Sequence, residues 1–136
     1  MTTQLIRTLS VALLAAASVY AQGSQILTVQ VPFGFHVGNS MLPSGQYTVY
    51  TDAGPGVVKL RSADAKSSVM ILSIATQTMA TPTTGKLVFN KYGDEYFLSQ
   101  IWKAGSNRGN ELRKSRREAE VAASTRRGVQ SILASQ

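Results

Sequence analysis

Within residues 25–37, hydrophobic and polar residues alternate strictly from Leu27 to Val37. One side of an extended chain would carry only apolar residues, namely Leu27, Val29, Val31, Phe33, Phe35 and Val37. Alternation of this length is typical of a half-buried β-strand. Because proline cannot donate a hydrogen bond to a ladder, Pro32 indicates an edge position or a bulge. The pattern predicts one long strand over 25–37.

Residues 86–102 predict a β-hairpin, since two apolar, aromatic-rich runs flank the dipeptide Gly93-Asp94. Glycine at the first loop position suits a type II′ turn. This loop sets a register that pairs Phe89 with Leu98, Asn90 with Phe97 and Leu87 with Gln100. Phe89 and Leu98 then share the core face, because a slip of one residue would invert it.

Three more strands are predicted, over 46–51, 57–61 and 68–78. The last is apolar on both faces at its centre, which favours a central strand covered on both sides, with a buried helix as the alternative. Links of two to about six residues indicate sequential antiparallel pairing. The predicted fold class is all-β with a C-terminal α-helix, a six-stranded antiparallel meander that closes as a small barrel or sandwich.

The pattern changes after Trp102. Residues 104–109 are small and polar, which predicts a linker, and Asn110 can cap a helix through 111–124. Gly128 is expected to end that helix. Two ion pairs are expected on its surface at a spacing of four residues, Lys114 with Glu118 and Arg116 with Glu120.

The N-terminus has the pattern of a secretory signal peptide. Arg7 precedes an apolar run over 9–19, and small residues stand at the positions that a signal peptidase reads before cleavage after Ala21. The alternative, a membrane anchor, would need about 20 apolar residues. The predicted division is a signal peptide over 1–21, an antiparallel β domain over 22–103 and a basic helical tail over 104–136. The expected location is periplasmic or extracellular.

Charge is concentrated near the C-terminus of this 136-residue chain, whose formal net charge is +7. The predicted polyanion-binding residues are Arg113, Lys114, Arg116, Arg117, Arg126 and Arg127. They suit an anionic envelope polymer or a lipid surface as partner. Nucleic acid is not expected, because the segment lacks interleaved aromatic residues and the chain is predicted to be exported. The alternative is a solvated surface helix.

Aromatic residues form a second group of candidates. If Phe89 and Leu98 face the core, strand alternation places some aromatic side chains outside it, with Tyr50, Tyr92 and Phe97 as the candidates. Such side chains can stack on sugars, bind a partner or pack against the C-terminal helix. The alternative is ordinary packing within the sheet.

The residues for catalysis are sparse. The chain has one histidine and no cysteine, and a nucleophile needs a base that is itself oriented by a partner. His36 falls on the polar face of the first predicted strand, and the sequence places no such partner beside it. We therefore expect no catalytic, cofactor-binding or metal site, and no enzyme.

Several motifs together resemble a family of small exported bacterial proteins of unknown function. They are V-P-F-G-F-H-V-G (31–38), L-P-S-G-Q-Y-T-V (42–49), L-R-S-A-D (60–64), K-L-V-F-N-K-Y-G-D-E-Y-F-L (86–98) with I-W (101–102), and E-L-R-K-S-R-R-E (111–118). The resemblance implies a periplasmic or secreted β-protein with a charged C-terminal segment, and it assigns no role to any residue. Separately, L-P-x-G-x-Y-x-V is similar to a strand start in immunoglobulin-like sandwiches.

Three hypotheses about function follow. The first is a non-enzymatic exported envelope protein, a small β-scaffold with a binding or structural role. The second is a polyanion or membrane-surface binder that acts through the basic C-terminal residues. The third is a hydrolase that uses His36. The ligand and the oligomeric state stay open.

Overall fold

The computed structural model describes residues 24–51 and 56–134, with no account of side chains at 24–26. The predicted signal peptide, 1–21, lies outside this range. The elements are β1 (Ser24–Val31), β2 (Phe35–Val37), β3 (Ser40–Leu42), β4 (Gly45–Thr51), β5 (Val57–Ser62), β6 (Ser68–Gln77), β7 (Lys86–Tyr92), β8 (Glu95–Trp102), β9 (Arg108–Leu112), α1 (Arg116–Ala122) and β10 (Arg127–Leu133). The all-β class with a helix near the C-terminus is confirmed.

The described strands form one mixed sheet, in the order β1-β4-β5-β6-β9-β8-β2-β3, with β7 between β8 and β10. Pairing is antiparallel except between β2 and β8, where His36 faces Phe97. One isolated bridge joins Val29 to Ala134 and brings the two ends of the sheet together. Among residues 24–51 and 56–134, no ladder completes that junction, so the sheet is not closed into a barrel. The predicted six-stranded meander is too simple, because β1 pairs with β4, β6 with β9 and β8 with β2, all out of chain order.

The predicted strand over 25–37 is two strands. β1 ends at Val31 and pairs with β4, whereas β2 begins at Phe35 and pairs with β3 and β8. Pro32 lies between them and cannot supply a ladder hydrogen bond, so the chain leaves one partner there and joins another. The apolar alternation nonetheless holds. Its inward-facing residues that lie in strands are all buried, namely Leu27, Val29, Val31, Phe35 and Val37.

The hairpin of β7 and β8 has the predicted loop. Phe89 faces Leu98 and Asn90 faces Phe97, as expected, but a register shift between Val88 and Phe89 places Leu87 opposite Ile101 rather than Gln100. Gly93 has a φ of +60°, and Ala65 is the one non-glycine residue with positive φ in the described chain. In the two-residue loop, φ is therefore positive at Gly93 and not at Asp94, as a type II′ turn requires.

The segment after Trp102 differs most from expectation. Residues predicted as linker and helix start form β9, which lies between β6 and β8. The helix is short and begins at Arg116, where the Oγ of Ser115, not Asn110, accepts the backbone N–H of Glu118. Gly128 lies within β10, which pairs with β7. Residues 104–136 are thus not a separate helical tail, because they supply two strands of the sheet.

One face of the curled sheet forms the core. Fifteen buried side chains make a single cluster, namely Leu27, Val29, Val31, Phe35, Val37, Leu42, Tyr47, Val49, Val58, Leu60, Leu87, Phe89, Leu98, Ile101 and Leu112. They come from β1 to β5 and from β7 to β9, so these strands direct one face inward. Partners directly opposite in a ladder share a face, and the ladders therefore also define an outer face.

Candidate binding surfaces on the outer face

Helix α1 covers the outer face of the β7–β8 hairpin. Tyr92 and Phe97 point outward from the sheet, yet each is only 2% exposed because Val121 of α1 packs on them. The rings of Tyr92 and Phe97 meet edge to face at 5.7 Å. The prediction that these two aromatics are exposed is wrong, and the helix that sequence analysis named as one possible neighbour is what buries them.

Glu118 is the buried polar centre of this helix–hairpin contact. Its Oε2 accepts hydrogen bonds from Nδ2 of Asn90 and from the hydroxyl of Tyr92, both at 3.0 Å. Burial, followed by the hydrogen bond to Glu118, raises the pKa of the Tyr92 phenol. The carboxylate thus joins α1 to β7 through two satisfied donors, so its evident role is structural. The predicted ion pair of Lys114 with Glu118 is wrong, since Lys114 precedes the helix.

His36 lies at the margin of the same contact. Its imidazole stacks on Phe97 with ring centroids 4.4 Å apart, and its Nε2 lies 3.6 Å from Oε1 of Glu95. Arg117 donates to the same Oε1 at 3.0 Å. Glu95 is the partner for His36 that sequence analysis did not find, because β2 and β8 are distant in sequence and meet at a single parallel pair. This arrangement connects β2, the hairpin and α1.

The six predicted polyanion-binding residues are all exposed. Arg116 pairs with Glu120 at 3.5 Å, as predicted, and Arg117 pairs with Glu95. The other four, Arg113, Lys114, Arg126 and Arg127, make no ion pair within the described part of the chain. They flank α1 in two groups, one before it and one after it, rather than lining one face of a helix.

The outer face of β6 carries an exposed apolar stripe, which we call the β6 stripe: Met70, Leu72 and Ile74. Their exposed fractions are 59%, 72% and 46%. The alternate residues Val69 and Ile71 pack against the core. The prediction that this strand is covered on both sides is therefore wrong for the described chain, because only its inner face is covered.

Ladder partners show what surrounds the β6 stripe. On the β5 side, Lys59 lies opposite Met70, and Val57 lies opposite Leu72. Tyr50 of β4 lies opposite Lys59 and is half-buried, so it is the one predicted exposed aromatic that keeps an open side. Ile74 at the other end lies opposite Glu111. The stripe is thus bordered by a cation at the Met70 end and by a carboxylate at the Ile74 end.

Two of the open clefts in the described part of the chain lie away from the β6 stripe. The larger of the two, about 440 Å³, is lined in part by hydroxyl-bearing and amide side chains beside Trp102. The indole N–H of Trp102 donates to Oε1 of Gln100 at 3.1 Å. The smaller, about 180 Å³, contains Tyr47 and Asp64. Hydrogen bonds from the Ser62 hydroxyl and the Lys66 backbone lower the pKa of Asp64.

Comparison with protein-family models, curated proteins and solved structures finds no match for this chain. Among the residues that the structure describes, no three His, Cys, Asp or Glu side chains lie close enough together to hold a metal ion. Over the same residues, no helix has both the length and the apolar character that crossing a bilayer requires.

Proposed function

We propose that the protein is a non-enzymatic, exported envelope protein whose β-scaffold binds another envelope component through the outer face of β5 and β6. The observation that carries this proposal is the β6 stripe. Three neighbouring apolar side chains are exposed to water there. Their burial against a partner would favour binding by about 25 cal/mol per Å² of apolar area covered. A contiguous apolar patch on a folded surface is typical of an interaction site.

Two further observations support the non-enzymatic and exported parts of the proposal. The imidazole of His36 stacks on Phe97 and borders a carboxylate that Arg117 already binds, an arrangement suited to fastening strands together. The pattern over 1–21 is that of a signal peptide. The motif resemblance to small exported bacterial proteins agrees with it.

Cell fractionation of the full chain tests this proposal. We expect the mature protein, cleaved after Ala21, in the envelope fraction, and a Met70→Ser/Leu72→Ser/Ile74→Ser variant released from it. The matched control is Met79→Ser/Val129→Ser/Leu133→Ser, which removes three exposed apolar side chains elsewhere and should stay in the envelope. Retention of the whole chain in the cytoplasm, or equal retention of both variants, contradicts the proposal.

A second candidate function is polyanion binding, favoured by the four exposed cations without ion pairs in the described chain. Arg113→Gln/Lys114→Gln/Arg126→Gln/Arg127→Gln should lower the affinity for an acidic polysaccharide and reduce its salt dependence. The control is Lys66→Gln/Lys103→Gln, which removes two exposed cations outside these groups. Equal binding by both variants would rule out this function.

A further inference from the structure

We propose that the occupant of the β6 stripe is the surface of an anionic phospholipid bilayer, into which Met70 and Leu72 insert. This inference rests on the proposed function, because it names the envelope component that the outer face binds. The size of the stripe, the side chains beside it and the distribution of charge along it favour a bilayer.

The size of the β6 stripe suits a bilayer better than a protein. A stable protein–protein interface buries roughly 20 to 30 residues on each side, whereas the stripe exposes three large apolar side chains with half-buried Val57 beside them. Peripheral membrane proteins bind with a small apolar set that enters the region between headgroups and acyl chains, assisted by cations. Three aliphatic side chains projecting from one face of a strand meet that requirement.

The side chains beside the stripe are those that favour a lipid headgroup region. Tyr50 and Lys59 form one ladder row with Met70, and Arg61 pairs with Ser68 in the next outward-facing row. Tyrosine has an apolar ring and a polar hydroxyl, a combination enriched at membrane interfaces. Lysine and arginine bury their methylene stems while the charged ends stay with phosphate groups. The full sequence has a formal net charge of +7, and the charge stays positive after loss of Arg7 with the predicted signal peptide, which attracts the chain to an anionic surface.

Glu111 determines how the β6 stripe is oriented on the bilayer. It lies opposite Ile74, and an anionic surface repels its carboxylate. Lys59 and Arg61 lie toward the other end of the stripe. The Met70 end should therefore enter the bilayer deeper than the Ile74 end.

Sedimentation with vesicles tests the lipid occupant. We expect binding to vesicles of phosphatidylcholine with phosphatidylglycerol, weaker binding to phosphatidylcholine alone, and loss of binding as salt increases. Met70→Ser/Leu72→Ser should weaken binding by about tenfold or more, since two inserted apolar groups are lost. Lys59→Gln/Arg61→Gln should weaken binding to anionic vesicles only. Val129→Ser/Leu133→Ser is the matched control and should bind as wild type.

Single-cysteine labelling tests the orientation, because the chain contains no cysteine of its own. An environment-sensitive fluorophore on Met70→Cys or Leu72→Cys should shift to shorter wavelength with anionic vesicles. On Ile74→Cys it should shift less, and on Val129→Cys it should not shift. Equal shifts at all four positions would overturn the inference.

Different results would overturn the lipid inference and the proposed function. If wild type ignores anionic vesicles while envelope retention still requires the β6 stripe, the lipid inference is overturned and the proposed function stands. If vesicle binding survives Met70→Ser/Leu72→Ser but is lost in the variant lacking Arg113, Lys114, Arg126 and Arg127, the inference is also overturned. Circular dichroism of each variant confirms that the comparison is between folded proteins.

Discussion

At the scale of single residues, Glu118 decides how the helix meets the sheet. A carboxylate that is only 3% exposed is costly to bury unless its oxygens are hydrogen-bonded. Asn90 and Tyr92 supply two donors to one oxygen, and all three side chains are buried. Removal of Glu118 would leave both donors unmet, whereas removal of either donor would leave the other bonded to Oε2, so Glu118 is the residue on which the cluster depends.

Glu118→Ala should lower the free energy of unfolding by about 2 to 3 kcal/mol, because Asn90 and Tyr92 lose their acceptor in a buried site. Glu118→Gln should cost less, since its amide oxygen can accept from both donors. Urea denaturation measures both variants. Glu120→Ala, which breaks an exposed pair with Arg116, is the control and should change stability by less than about 1 kcal/mol. A larger loss at Glu120 would contradict this account.

The raised pKa of Tyr92 predicts that the free energy of unfolding falls at alkaline pH. The pKa of its phenol is raised from 10.0 by burial and by the bond to Glu118. The protonated phenol therefore contributes its full stabilisation below about pH 10, and this contribution is lost as the pH rises through the pKa of Tyr92 in the folded state. Denaturation midpoints should therefore fall above about pH 10, and Tyr92→Phe should show a shallower fall from a lower starting stability. Parallel pH profiles for the two proteins would refute the assignment.

At the scale of elements, β9 depends on one glycine. A Cβ at Gly109 would lie 2.6 Å from Cε3 of Trp102 and 2.7 Å from the carbonyl oxygen of Ile101. Gly109 and Trp102 are ladder partners, and the indole lies over the glycine. The close approach of β9 to β8 therefore requires the absence of a side chain there.

Gly109→Ala should destabilise the protein by about 2 kcal/mol or more, because a backbone carbonyl and a buried ring must both move. Thermal unfolding followed by the fluorescence of Trp102 measures the effect at its source. Gly128→Ala is the matched control, since a Cβ there would meet nothing closer than 3.8 Å. That variant should be neutral or slightly stabilised, and equal losses at both glycines would be contrary to the structure.

The elements also show what the sequence could and could not predict. The hairpin register near the turn was predictable, because a two-residue loop with glycine first constrains the residues nearest to it. The shift at Val88 was not, since a bulge depends on packing farther along the strands. β9 has no alternation to reveal it, and its pairing with β6 and β8 is decided by residues far away in sequence.

The candidate site was only partly predictable for a similar reason. Apolar residues on both faces of 68–78 correctly indicated a strand, but alternation within one strand cannot show whether another element covers its outer face. α1 covers the β7–β8 hairpin and leaves β6 open. The sequence pattern made the same prediction, an exposed aromatic, for Tyr92, Phe97 and Tyr50. In the structure α1 buries Tyr92 and Phe97, whereas Tyr50 stays half-buried.

At the scale of the whole molecule, the segment after Lys103 is part of the fold. β9 is the link between the β1-β4-β5-β6 half of the sheet and the β8 half, and β10 covers the edge of β7. A basic segment of this kind cannot be studied by removing it, since the sheet would lose two strands and the edge of β7 would be open to pairing with other chains.

Truncation after Ala104 should therefore yield an unfolded or aggregated protein, visible as a lost cooperative thermal transition and as early elution in size-exclusion chromatography. The four-residue variant that replaces Arg113, Lys114, Arg126 and Arg127 with glutamine should keep a cooperative transition, because all four side chains are exposed. A soluble, cooperatively folded truncation would show that β9 and β10 are dispensable.

The bridge from Val29 to Ala134 has a consequence for biogenesis. The backbone N–H of Ala134 also donates to the carbonyl of Gly85, so this residue contacts both an early and a middle segment of the chain. Such distant pairings delay folding until both members are present. During synthesis or transport across a membrane, the complete sheet should therefore form only after the segment around Ala134 has become available for pairing.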